Sequence, residues 1–328
     1  MLRIDRARVV ELVDSCYAPG LDDAAWVHRL LHALVDLGGA RSAVFIRFRT
    51  SYDAHGALNI DEGDGFTSIG PDAGEWSEDT RRAVLSSPAR ELTFGRTQGA
   101  TFSQVSGLGA RVDSSPGWRQ CWRAPIVDAL GVVSRDTNGD GFVVCVGLDR
   151  THSLAPRESR LLTKLATHVA ASQRLRGRTI SPDAADAVLS AHGKVLHVSG
   201  GAQHDRAALD EGRRRREAAK KSPHDADRAL EIWQGLVAGR WSLVDHFDSD
   251  GKRFVLAMKN APEVNPRAGL SALELRVSSL ASMGHRDKEI AYALGVTMPS
   301  VAAALHRSRA KLKVGSRAAL AAAWRRGG

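Results

Sequence analysis

Residues 271–318 read SALELRVSSLASMGHRDKEIAYALGVTMPSVAAALHRSRAKLKVGSRA, and the punctuation of this stretch decides the fold of the C-terminal end. Ser271 stands where a helix N-cap is wanted, Leu273, Val277, Leu280 and Ala281 follow at helical spacing, and Gly284 stops the run. A short second helix fits residues 287–294, with Ile290, Ala291 and Leu294 inward and Gly295 as its sharp stop. Thr297 then caps a third helix reaching about residue 312, inward at Val301, Leu305, Ser308 and Leu312. Helix, tight turn, helix is the arrangement that lets a second helix project into a major groove.

The charge sits in the same place. Of a net +9 over 328 residues, the part from Arg267 onward has eleven Lys+Arg against three Asp+Glu, a net of +8, so the remaining body is nearly neutral. A compact basic unit on a neutral body predicts that one end meets a polyanion. A basic solubilising tail would lack the apolar periodicity found here.

The C-terminal end resembles the LuxR/GerE-type helix-turn-helix family. The matching residues are Leu270-Ser271, Glu274, Leu280-Ala281, Gly284, Lys288-Glu289-Ile290-Ala291, Leu294-Gly295-Val296, Val301, Leu305, Lys311-Leu312, Val314 and Ser316-Arg317-Ala318. The resemblance implies an all-α DNA-binding domain over 267–328 that contacts duplex DNA through Lys288, Thr297, Ser300, Ala302, Ala303, His306, Arg307, Arg309 and Lys311. It also implies a homodimer on paired half-sites, with a fourth helix at 316–324 as a dimer contact. Two departures stand out. The family's base-reading positions fall on Ala302, Ala303 and Ala304, whose methyls cannot make the bidentate hydrogen bonds that discriminate G or A. Arg286 occupies the usual Ser/Thr cap of the second helix, which shifts the expected cap to Asp287. Lys288 at a helix start, with His306, Arg307, Arg309 and Lys311, suits phosphate contacts that give salt-dependent affinity without reading sequence.

In front of this unit the pattern is α+β. Helices are expected at 9–16 and 22–37, a strand at 43–48, a hairpin of two apolar runs at 126–148 turning through 136–141, and a long helix at 156–175. The polar, glycine-rich stretch up to about residue 74 shows no order on this reading. A second series has strands at 187–189 and 195–198, a charged helix at 205–221, and a hairpin at 241–258, then a Pro262-to-Pro266 linker. By order of elements, 1–178 resembles a GAF-type sensor and 179–262, more weakly, a PAS-type module. The resemblance implies a small-molecule or protein ligand at the N-terminal region. Trp118, Cys121 and Trp122 could line its pocket or form an ordinary aromatic core.

Other features point to no chemistry. Asp136, Asn138, Asp140 and Gly141 imitate half of a calcium loop, but the twelfth position is Gly147 rather than Glu, so a plain turn is expected and no metal. The run 213–216, four arginines, is flanked by Asp210, Glu211 and Glu217 and reads as a solvated helix face rather than a second nucleic-acid patch. Asp22 and Asp23 open a helix and serve its dipole, which argues against a phosphoacceptor. There is no GxxxxGK[ST] loop, HExxH or nucleophile elbow, so neither a cofactor nor catalysis is indicated. Three scattered cysteines fit a reducing compartment, and no apolar run reaches the roughly 18 residues of a membrane span. The expectation is an α+β sensor-like region followed by an all-α helix-turn-helix domain, a cytoplasmic transcriptional regulator without membrane contact. The alternative is a protein-binding signalling adaptor with a degenerate helix-turn-helix. An acyl-lactone receptor is a further rival, against which the two-module pattern argues.

Overall fold

A computed structural model describes residues 4–18, 20–53, 55, 57–86, 93–105, 111–137, 139–176, 178–222, 225–260 and 269–326. The architecture is mixed α+β, with two antiparallel sheets followed by a helical C-terminal region. The Pro262-to-Pro266 linker and Asn138 lie outside the described residues.

The first sheet runs β2-β1-β5-β4-β3, made from β1 (Ala43–Tyr52), β2 (Leu58–Ile69), β3 (Gln98–Thr101), β4 (Asp128–Arg135) and β5 (Asp140–Leu148). Its centre is apolar on both faces because both faces are covered. Phe45, Val132, Phe142 and Val144 point to one core with helices α1 (Arg6–Cys16) and α2 (Asp23–Gly38). Val44, Ile46, Val143 and Cys145 point to another, which includes residues of α3 (Glu78–Leu85), α4 (Phe102–Val105) and α5 (Pro116–Gln120). Trp118, Cys121 and Trp122 belong to that second core, where Trp118 stacks on Phe94 and meets Phe102 at a tilt, so the aromatic-core alternative holds for them. Asp22 caps α2 by accepting the Ala25 N–H at 2.7 Å, and Gly39 closes it in the left-handed region at φ 60°.

One sequence expectation fails here, and another holds with an addition. The glycine-rich stretch is ordered as the twelve-residue strand β2, an edge strand paired only with β1. Asp136 is a turn residue as expected, but it is also buried, and its carboxylate meets Arg174 at 2.6 Å. That pair ties the β4–β5 turn to the end of α6 (Pro156–Gln173).

The second sheet runs β7-β6-β9-β8, from β6 (Ala187–Ser190), β7 (Val195–Val198), β8 (Trp241–Phe247) and β9 (Arg253–Lys259), alongside α7 (Arg206–Lys220) and α8 (Ala226–Ile232). One face packs Leu189, Trp241 and Val255 on Leu209 of α7. The other sends Val188, Val244, Leu256 and Met258 into the same core as α1 and α2 of the first region, so the two sheets share one apolar interior.

The run 213–216 is not a solvated face. Arg216 is 2% exposed, bonded to Asp245 at 2.9 Å and held over the rings of Tyr17 and Trp233. Arg213 is also buried, against Asp210 and the Ala191 carbonyl. Arg214 and Arg215 are the exposed members, and both pair with Glu211. A helix face with alternate burial explains the difference: residues three apart share a face, so the sheet claims Arg213 and Arg216 and leaves the two between them to water.

The C-terminal helices are α9 (Ala272–Ser282), α10 (Asp287–Leu294), α11 (Met298–Lys311) and α12 (Arg317–Arg326). They enclose Val277, Leu280, Ile290, Leu294, Val301, Ala304, Leu305 and Leu320. One further member of this core, Leu236, comes from the segment before β8. No helix among the described residues is long and apolar enough to cross a membrane.

Candidate nucleic-acid interface

The site begins with the cap of α9. Ser271 accepts the Glu274 N–H at 3.3 Å, and Glu274 returns the bond by accepting the Ser271 N–H at 2.8 Å. This reciprocal box fixes the start of the helix. It also leaves a carboxylate only 3% exposed that needs cations, and α11 supplies them: Arg307 donates to one oxygen at 2.8 Å and Lys311 to the other at 2.7 Å. Burial alone would raise the Glu274 carboxyl, but the Lys311, Ser271 and Arg307 bonds outweigh it and bring it down to about 2. Two of the cations expected to face phosphate are therefore also cross-braces between α9 and α11, each still about half exposed.

The turn between α10 and α11 is set by Gly295, left-handed at φ 62°, and by Thr297, which accepts the Ser300 N–H at 3.2 Å. A Cβ at Gly295 would lie 1.7 Å from the Leu236 carbonyl oxygen, so the position needs glycine for conformation and for space. On α11 the inward face is Val301, Ala304, Leu305 and Ser308. Ala304 is thus a core residue and cannot be a reader position, contrary to the sequence expectation. Ala302, Ala303, His306 and Ala310 are exposed on the opposite side. Thr297 is exposed and Ser300 half-buried at the start of the helix. Arg309 is half-buried, and at 100° per residue it flanks the outward face on the side away from Lys311.

The expected cap at Asp287 does not form. Arg286 is the N-cap, without a side-chain cap bond; its N–H goes to Glu289 at 2.8 Å, and the Asp287 carboxylate is taken by Arg317 at the start of α12. Arg317 also bonds the His285 carbonyl and so pins α12 to the start of α10. Lys288 is 77% exposed, and its nearest carboxylate is Glu231 of α8 at 3.6 Å. Lys288 therefore sits on the side of α10 that faces the front of the molecule.

That side was the least legible from spacing and periodicity. Tyr292 of α10 inserts its hydroxyl 2.8 Å from His168 of α6, beneath the Lys164 ammonium. Arg276 of α9 reaches the Gly239 and Asn260 carbonyls, and Ser279 bonds the Thr137 carbonyl at 3.4 Å. The one advance signal was a large aromatic among the polar positions of α10. No family model matches the chain, and no curated protein matches it.

Proposed function

We propose that the chain is a DNA-binding transcriptional regulator whose C-terminal helices form a LuxR-type helix-turn-helix, controlled by the sensor-like α+β region in front. The observation that carries this reading is the outward face of α11. Ala302, Ala303 and Ala310 form an exposed strip of small side chains around His306, flanked by Arg307 and Arg309, on the helix that follows a tight glycine turn. Small side chains let the helix approach base edges closely, while flanking cations take phosphates. Lys288 is turned toward Glu231 of α8, so on this reading the phosphate contacts fall to the cations of α11. On this reading a homodimer places two such helices on half-sites about one DNA turn apart.

The adaptor reading draws on a specific observation as well. Glu274 already binds Arg307 and Lys311, which reduces the charge available to phosphate, and the alanine strip can seat a protein surface equally well. Duplex retention by the full-length chain as a function of salt separates the two. A regulator gives log affinity falling linearly with log salt, with a slope set by the number of phosphates neutralised. Retention absent at low salt leaves the adaptor.

A further inference from the structure

Between the C-terminal helices and α6 lies a cleft of about 760 Å³, continuous with a more open stretch past the end of α12. Thr97, Arg160, Thr163, His285, Arg286 and Glu289 border both stretches, so they mark the waist of one groove. The inner stretch has an apolar side made by Leu161, Leu280, Leu294, Val296 and Met298. A volume of this size suits a small organic molecule.

The polar side has an excess of positive charge. Arg157, Arg174 and Lys288 are matched by Asp227, Asp136 and Glu231. Arg160, Lys164 and Arg286 have no carboxylate within ion-pair distance among the described residues; Glu289, beside them, is already bonded by the Arg286 N–H and lies 3.7 Å from Nδ1 of His285. Burial lowers the Lys164 ammonium below its ordinary range, against the pull of Glu231 and Asp227. One buried donor of the lining, Nε of Arg135, 4% exposed, is also without a partner, as is the ring nitrogen Nε2 of His285, 7% exposed, whose Nδ1 lies 3.7 Å from Glu289. Buried donors are nearly always satisfied, and orphans bordering a groove point to a guest that satisfies them.

We propose that this cleft binds a small amphipathic anion, an oxyanion head group carried on an apolar body. The head group lies at the waist against Arg160 and Arg286, where a planar guanidinium can grip two oxygens. The body lies along Leu280, Leu294 and Val296. Because α6 and α10 supply opposite walls, the ligand favours the docked arrangement over any in which the helices separate, by its difference in affinity for the two. That this alters DNA binding rests on the function proposed above; the site itself does not.

The test uses the full-length chain and 8-anilinonaphthalene-1-sulfonate, a sulfonate on an apolar aromatic body. Fluorescence titration should show one saturable site, and hydrogen exchange at saturation should slow over 157–164 and 285–294 together. Arg160→Glu should weaken the probe by about tenfold or more, the scale of one charge-assisted hydrogen bond. Arg160→Gln and the wild-type exchange map decide the matter if the Glu variant does not fold. Protection on one wall only, or elsewhere, or probe affinity unchanged in a folded Arg160 variant, overturns the proposal. Duplex retention is scored separately: protection of both walls in a chain that holds no DNA keeps the site and removes the regulator, and the opposite result removes the site alone.

Discussion

Nε2 of His168 lies 2.8 Å from the Tyr292 hydroxyl and 2.9 Å from the Trp233 carbonyl, so a single imidazole on α6 joins α10 to the segment that leads into β8. The carbonyl can only accept, which assigns the ring proton to Nε2 and leaves Nδ1 to accept from the Tyr17 hydroxyl at 3.1 Å. The imidazole is fully buried and edge-on to Tyr17, Trp233 and Tyr292. Burial pushes its pKa down to about 3, the Trp233 bond opposes this, and the nearby Lys164 and Arg216 charges push the same way as burial.

Tyr292→Phe keeps the ring and removes the hydroxyl. The expected loss is about 1 kcal/mol, the usual net worth of a neutral hydrogen bond. Urea unfolding measures it, and hydrogen exchange should quicken over 287–294 before it does so in β5. Unchanged exchange would mean that Tyr292 does not hold the helices in place.

His168 also sets a pH dependence. Its folded pKa lies below the unfolded value of 6.5, so the unfolded chain binds the extra proton as pH falls. The contribution is fully present above pH 6.5 and is lost as pH falls from there toward about 3. By about pH 5 the loss should be near 2 kcal/mol. Comparing wild type with His168→Gln across this range isolates the residue, since the variant should show a shallower decline.

Glu274→Gln should lower stability by about 2 kcal/mol, because two charge-assisted bonds become neutral while Arg307 and Lys311 keep their charge. Here the folded pKa is depressed, so the carboxylate's contribution is present above its ordinary 4.5 and disappears as pH falls toward about 2. Unfolding of wild type and variant should therefore converge in acid. Parallel curves down to pH 3 would mean that the carboxylate is not held by these cations.

Ala302 is exposed on α11, one helical turn from His306. Selection of bound sites from a random duplex pool should give a shallow preference with wild type. Ala302→Arg should sharpen it, since one bidentate guanine contact is worth roughly 1–3 kcal/mol of discrimination. A long, sharply defined wild-type site, or no change on substitution, would mean that α11 does not lie in the groove this way round.

The parts read correctly from sequence are those whose causes are local. Ser271, Gly295 and Thr297 act within a turn of themselves, and the hairpin at Asp136 to Gly139 is closed by neighbours in the chain. The failures have distant causes. Strand β2 keeps only scattered apolar residues because it is an edge, so its order comes from pairing with β1 rather than from its own pattern. Arg216 is buried by Asp245, 29 positions away, and Asp287 is drawn from its capping role by Arg317, 30 positions away. In the candidate site, the exposure of Ala302, Ala303 and His306 followed from periodicity, but Ala304 was placed on the wrong face and the brace at Glu274 was not anticipated. Tyr292 has a partner 124 positions away, and no rule of spacing could have supplied it.

Leu236 is a residue of the front that completes the interior of the C-terminal helices. The C-terminal unit is therefore not a portable cassette. Grafted after residue 260 onto another protein, it would carry an empty seat where Leu236 belongs, and a vacated leucine site of this kind costs about 2–5 kcal/mol. A chimera that restores function would need its splice point upstream of 236, inside what the order of strands presents as a different module. A cut between residues 260 and 269 is thus discouraged by a single side chain lying on its far side.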